Sequence, residues 1–160
     1  VPPALQTAAG YRNELLGVQD IDAYLEPIAG TGGLGVATVT GMVRSVQLFD
    51  GISGRSDNWA IAALNEPVLI EFPEPRAIRM VRLHLYSADG RAYRFVVEAS
   101  TDGNWRSVAD YSENAVGGTI EFDITAGAVS ALRITGLHNS RQEDDPNNAF
   151  LHIEEIELID

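Results

Sequence analysis

Apolar residues recurring at every second position mark a strand with one buried face, and from Val68 onward this chain repeats that pattern almost without a break. Val81, Leu83 and Leu85 alternate with Met80, Arg82, His84 and Tyr86. Tyr93, Phe95, Val97 and Ala99 alternate with Arg94, Val96, Glu98 and Ser100. Ile120, Phe122 and Ile124 stand against Glu121 and Asp123, and Leu132 and Ile134 against Arg133 and Thr135. Val68 to Phe72 is a shorter apolar strand that Pro73 and Pro75 are expected to close. Between the strands lie explicit turns: Ala88-Asp89-Gly90, Thr101-Asp102-Gly103-Asn104 and Val116-Gly117-Gly118. No strand-helix-strand alternation interrupts them, which excludes a parallel α/β sheet. The pattern predicts an all-β fold of antiparallel sheets packed as a sandwich.

The last strand breaks its own rule. Leu151 and Ile153 share one face, whereas Ile156 and Leu158 fall on the opposite parity. A β-bulge near Glu154-Glu155 reconciles the two halves and turns a carboxylate inward, where it needs a cation or hydrogen-bond donors. Glu155, in parity with Leu151 and Ile153, is the expected one.

The N-terminal quarter carries less information. Leu15, Leu16, Ile21 and Leu25 lie near helical spacing within Tyr11 to Ile28, with Pro27 as the stop. Ala29 to Gly35 is glycine-rich, but Val36 to Val46 after it favours a strand where a phosphate loop needs a helix, so a flexible turn is expected. Residues 1–40 are accordingly assigned as an N-terminal extension or extra strand or helix, and residues 41–160 as the sandwich.

Two loops are chemically dense. Gln47 to Trp59 combines the Asp50-Gly51 turn, a second carboxylate at Asp57 and a large aromatic. Its carboxylates suit either turn formation or a hard-cation cradle clamped to the C-terminal strand. His138 to Asn148 is crowded with planar hydrogen-bonding side chains, among them Arg141, Asn147 and Asn148. Such groups pair with vicinal sugar hydroxyls, and Tyr86, Asp89 and Arg91 on a neighbouring loop, with Arg55 and Asn58, are expected to complete a binding site with them and with His138.

A net charge of −12 over 160 residues argues against a nucleic-acid or anionic-membrane partner. Cysteine is absent, which removes disulfides and thiolate chemistry. The histidines His84, His138 and His152 lack zinc spacing, and no Gly-x-Ser-x-Gly elbow occurs, so no catalytic motif stands out.

With the strands laid out, Phe49 to Asp160 resembles the discoidin domain, the coagulation factor V/VIII C-type domain, whose bacterial relatives include the family 32 carbohydrate-binding modules. Leu48-Phe-Asp-Gly followed by Trp59, then Val96-Val-Glu-Ala-Ser-Thr-Asp-Gly-Asn-Trp105, Ala131-Leu-Arg-Ile-Thr and Ile153-Glu-Glu-Ile-Glu-Leu158 carry the resemblance in this order. It implies an eight-stranded antiparallel jelly-roll β-sandwich of the galactose-binding-domain-like kind. It also implies a structural calcium, held by the backbone of Gln47, Asp50, the Asp57 position and Glu155. Arg133 falls on the family's strand arginine and is expected to donate to loop carbonyls. Trp59 and Trp105 are expected to pack within the core or loops. The loop Ser87 to Ala92 is shorter than the corresponding loop of many galactose-binding members, and Trp59 has no histidine close to it in sequence.

The expected function is therefore a non-catalytic carbohydrate-binding module of a larger secreted or cell-surface bacterial protein. Its partners would be a glycan or glycoconjugate and neighbouring domains, with no nucleic acid and no membrane insertion. A structural or protein-interaction sandwich without a small ligand is the alternative.

Overall fold

The computed structural model describes residues 37–54, 59–124 and 127–160. The expected helix within Tyr11 to Ile28 and the turn at Ala29 to Gly35 lie outside the described residues. Among the described residues nine strands form: β1 (Thr38–Thr40), β2 (Ala60–Ala63), β3 (Pro67–Ala77), β4 (Met80–Leu85), β5 (Tyr93–Thr101), β6 (Asn104–Asp110), β7 (Gly118–Asp123), β8 (Ala128–Asn139) and β9 (Phe150–Ile159). They build a five-stranded sheet in the order β1-β3-β8-β5-β6 and a four-stranded sheet in the order β2-β9-β4-β7. Every pairing is antiparallel.

The alternation read from the sequence decides which side chains face the gap between the sheets. Ile70, Leu132, Ile134, Tyr93 and Phe95 from the larger sheet and Leu83, Leu85, Leu151, Ile153 and Ile156 from the smaller one are fully buried. Burying each such side chain contributes about 1.5–3 kcal/mol, so this layer is the main source of stability. The outward residues of β4, Met80, Arg82 and His84, and Tyr86 just after it, remain half-buried on the other side of the smaller sheet.

One strand runs further than expected. β3 continues through Pro73 and Pro75 to Ala77. Its β1 partner reaches only to Glu71, and its pairing with β8 shifts register between Glu71 and Arg76. The prolines' missing N–H groups therefore fall where the ladder is already interrupted, which is where a strand tolerates them.

The expected irregularity in β9 is present. Against β4, Glu155 pairs with His84 but Ile153 with Leu85, leaving Glu154 as the extra residue. That bulge restores Ile156 and Leu158 to the core, with Glu154 and Glu155 both buried. A 3₁₀ turn at Ser45–Phe49 packs against β2 and β9 and buries Leu48 and Phe49.

Candidate functional site

Strand pairing gathers a set of rings at one end of the smaller sheet. Ile61 of β2 lies opposite His152 of β9, so Trp59, just before β2, arrives beside that histidine. The Trp59 and His152 ring centroids lie 5.8 Å apart, nearly edge-to-face. Tyr86 follows β4 on its outward parity, and its N–H donates to the His152 carbonyl (3.1 Å). Its ring stacks at 4.4 Å on Trp59. Phe150 joins from the start of β9, 6.5 Å from His152 and 38% exposed. Trp59 and Tyr86 are half-buried, so part of each ring also reaches the surface. The Tyr93 hydroxyl comes from within the core to donate to the Tyr86 carbonyl (2.6 Å), which anchors that end of the cluster.

A polar cluster adjoins the rings. Gly90, at a φ of +83°, lets the chain reverse at Ser87 to Gly90, where Gly90 N–H donates to the Ser87 carbonyl (2.8 Å). The turn aims Asp89 back at Arg91. Arg91 Nε and Nη2 donate to the two Asp89 carboxylate oxygens at 2.9 and 2.7 Å. The Arg91 guanidinium also lies 5.0 Å from the Tyr86 ring centroid. Arg141 approaches from the other loop, donating through Nη2 to the Asp89 carbonyl (2.6 Å) and through Nε to its carboxylate (3.3 Å).

That second loop is held by its own caps. Buried Asn139 accepts from Arg141 N–H (3.0 Å) and donates to the Phe150 carbonyl (2.9 Å), while Gln142 Oε1 accepts from Asn139 N–H (3.0 Å). Reciprocal hydrogen bonds between Ala92 and Ser140 tie the two loops together.

The charges follow from this packing. The hydrogen bonds from Arg91 hold the Asp89 carboxyl well below the usual carboxylate range, with Arg141 adding to the effect. Burial first, and then Arg91, push His152 down to about 4, so its ring is neutral near pH 7. Arg91 Nη1 lies 3.5 Å from His152 Nδ1, and a guanidinium only donates. Nδ1 is therefore the acceptor, and the ring proton sits on Nε2.

The sequence-derived site residues are thus only partly gathered. Tyr86, Asp89, Arg91 and Arg141 come together. His138, near the end of β8, pairs with Arg94 in the strand ladder, and its Nε2 lies 3.7 Å from Glu143. Asn147 N–H and Asn148 Nδ2 donate to the Asp145 carboxylate within their own turn (3.0 and 3.3 Å). The sequence reading left out Trp59, Phe150 and His152 as site members. Trp59 does have a histidine neighbour, but it comes through space from β9. Arg133 does not serve loop carbonyls: it forms a fork with Glu98 (2.8 and 3.0 Å) and lies 4.1 Å over the Trp105 ring.

A second cluster lies further along β9. Gly51 N–H donates to Glu155 Oε1 (3.0 Å), Gly54 N–H to Glu154 Oε1 (2.9 Å) and Ile52 N–H to Asp50 Oδ1 (2.9 Å). The loop after the 3₁₀ turn is thereby fastened to the bulge. Burial, and then the neighbouring Asp50 carboxylate, push the Glu155 carboxyl up to about 9. Gln47 Oε1 is buried without a hydrogen-bond partner. Asp50 and Glu155 are a facing pair of carboxylates, and oxygen is the donor type that calcium takes. Among the described residues, no group of three or more carboxylate, histidine or cysteine side chains is placed to hold a metal ion. Arg55, Asp57 and Asn58 lie outside the described residues.

Comparison with known proteins places this architecture. No protein-family model matches the chain. The BTB/POZ domain-containing protein 9 sequences of Homo sapiens and Bos taurus are 30% identical to it over 77 residues, 48% of this chain. That chain spans 13% of their length. Among solved structures, the CBM32 of AlyQ in complex with 4,5-unsaturated mannuronic acid superposes with a TM-score of 0.55 at 18% identity, covering 78% of this chain and 93% of that one. A CBM32 produced by Clostridium perfringens, in complex with GlcNAc-α-1,4-galactose, gives 0.54 at 18% identity, covering 71% and 78%. A chitosan-binding module from a Paenibacillus chitosanase/glucanase gives 0.54 at 17% identity, covering 78% and 94%. The chain has the discoidin-like, CBM32-like sandwich fold.

Proposed function

We propose that a chain with this CBM32-like sandwich is a non-catalytic carbohydrate-binding module, working outside the cell or at its surface as part of a larger protein. The observation that carries the reading is the Trp59, Tyr86, His152 and Phe150 cluster set directly against Asp89, Arg91 and Arg141. Partly exposed rings cover the apolar face of a sugar, and fixed N–H donors beside them meet its hydroxyls. Each group is braced before any ligand arrives, which keeps the ordering cost of binding low. The fold shared with modules solved with glycans supports the same reading.

The reading includes a calcium ion in the clasp. Asp50, Glu155 and Gln47 Oε1 would hold it with backbone carbonyls of the same loop. The ion would offset the Asp50–Glu155 repulsion and give the orphaned amide oxygen a partner. Its role here is to fasten the loop to β9; it takes no part in chemistry.

Affinity electrophoresis through gels carrying a panel of polysaccharides tests the binding reading. Trp59→Ala and Phe150→Ala should each weaken retention by about threefold to tenfold, the scale of one aromatic contact. If no glycan retards the folded protein, the proposal fails. A protein-interaction domain is the second reading, and the match to part of a much larger BTB/POZ domain-containing protein favours it.

A further inference from the structure

We infer that the aromatic-polar site takes an uncharged sugar and discriminates against uronates. This rests on the carbohydrate-binding reading and narrows it.

A carboxylate ligand is best held by an arginine that presents two parallel N–H groups along one edge of its fork. In both arginines of the site the side edge, Nε with Nη2, is already taken by Asp89, and Nη1 lies beside a further partner. Arg91 spends Nε and Nη2 on the Asp89 carboxylate and directs Nη1 to His152 Nδ1. Arg141 spends Nε and Nη2 on the carboxylate and carbonyl of the same Asp89, and its Nη1 lies 3.6 Å from the Asp144 carboxylate. Arg91 is also recessed, with a side chain only 12% exposed. The surrounding field works in the same direction. Glu143, on the 3₁₀ turn Ser140–Glu143 with Arg141, and Asp144 just after it stand exposed, on a chain of net charge −12. A uronate would meet repulsion and would find both Nε–Nη2 edges already engaged.

What remains for a ligand, beside the partly exposed rings, is the leftover single N–H groups of the arginines. These suit hydroxyl and ring oxygens.

The test uses the full chain and polymers differing in charge: galactan and glucomannan as uncharged ligands, polygalacturonate and alginate as anionic. Retention by at least one uncharged polymer, about tenfold stronger than by either anionic one and unchanged in about 0.5 M NaCl, is the expected result. Retention by the uronate polymers alone overturns the inference and leaves the carbohydrate-binding reading standing. Retention by none of them overturns that reading too. Asp89→Asn removes the carboxylate charge from the Arg91 fork, while Arg141 Nη2 keeps the main-chain carbonyl of residue 89, and should raise affinity for polygalacturonate about tenfold at low salt. A folded Asp89→Asn protein with no such gain refutes the charge argument. If circular dichroism shows that this variant does not fold, the charge profile of the wild-type chain decides.

Discussion

The Asp50–Glu155 pair should make the protein respond to pH and to calcium in opposite ways, and Glu155→Gln exposes both. Glu155 is 4% exposed, and its folded carboxyl keeps its proton up to about pH 9 against an ordinary value of 4.5. Between those values the unfolded chain holds fewer protons than the folded one, so metal-free stability falls as pH rises. At pH 7 the accumulated cost, at about 1.36 kcal/mol per pH unit, is roughly 3 kcal/mol. Glutamine keeps an acceptor for Gly51 N–H and carries no charge. In chelator at pH 7, Glu155→Gln should therefore be the more stable protein by roughly 2 to 3 kcal/mol, or about 5 to 10 °C in Tm. In calcium the order reverses. The wild type gains about 4 kcal/mol at a thousandfold excess of ion over Kd, and the variant gains little. Thermal melts from pH 7 to 8.5, in EDTA and in calcium, measure both limbs. That window lies above the titration of His152, whose ordinary value is 6.5. A Glu155→Gln variant less stable than wild type in EDTA, or a wild-type Tm that rises with pH there, would refute the reasoning.

Three further outcomes test the rest of the structure. Gly41 has a φ of +90°, and a Cβ there would lie 2.4 Å from the Pro67 carbonyl oxygen, so Gly41→Ala should cost about 2 to 4 kcal/mol in urea unfolding. Leu83→Ala, at a fully buried inward position of β4, should cost about 2 to 5 kcal/mol by the same measurement. His152, held neutral by burial, should titrate near 4 in a ring-proton NMR experiment, and the acid limb of stability it causes, between pH 6.5 and 4, should vanish in His152→Gln.

The sequence displayed the parts of this fold that repeat locally. The inward residues of β4, β5 and β8 follow from period two alone, because adjacent positions on a strand must face opposite ways. The β9 bulge was legible for the same reason, since a parity switch between Ile153 and Ile156 needs an extra residue. Non-local pairing left no such trace. Trp59 meets His152 only because β2 lies beside β9, and nothing near either residue records that neighbour. The Glu154 contact to Gly54 was missed because a bulge buries two consecutive residues, where simple alternation predicts one. Pro73 and Pro75 misled because proline ends a strand only where its N–H is needed, and β1 is too short to need it.

The position of β9 has a consequence for how the molecule assembles. It is the last of the nine strands among the described residues, yet it runs between β2 and β4 and carries His152, Glu154 and Glu155. During synthesis, β2 and the β4–β7 pair emerge as two pieces of a sheet with a strand-wide gap between them. The larger sheet has no such dependence, as β1, β3, β5, β6 and β8 pair among themselves. Assembly should therefore proceed in two stages: a five-stranded layer as soon as β8 emerges, then late closure when β9 inserts. That order makes the rings and the clasp the last features to form, and folding correspondingly slow for a chain of this size.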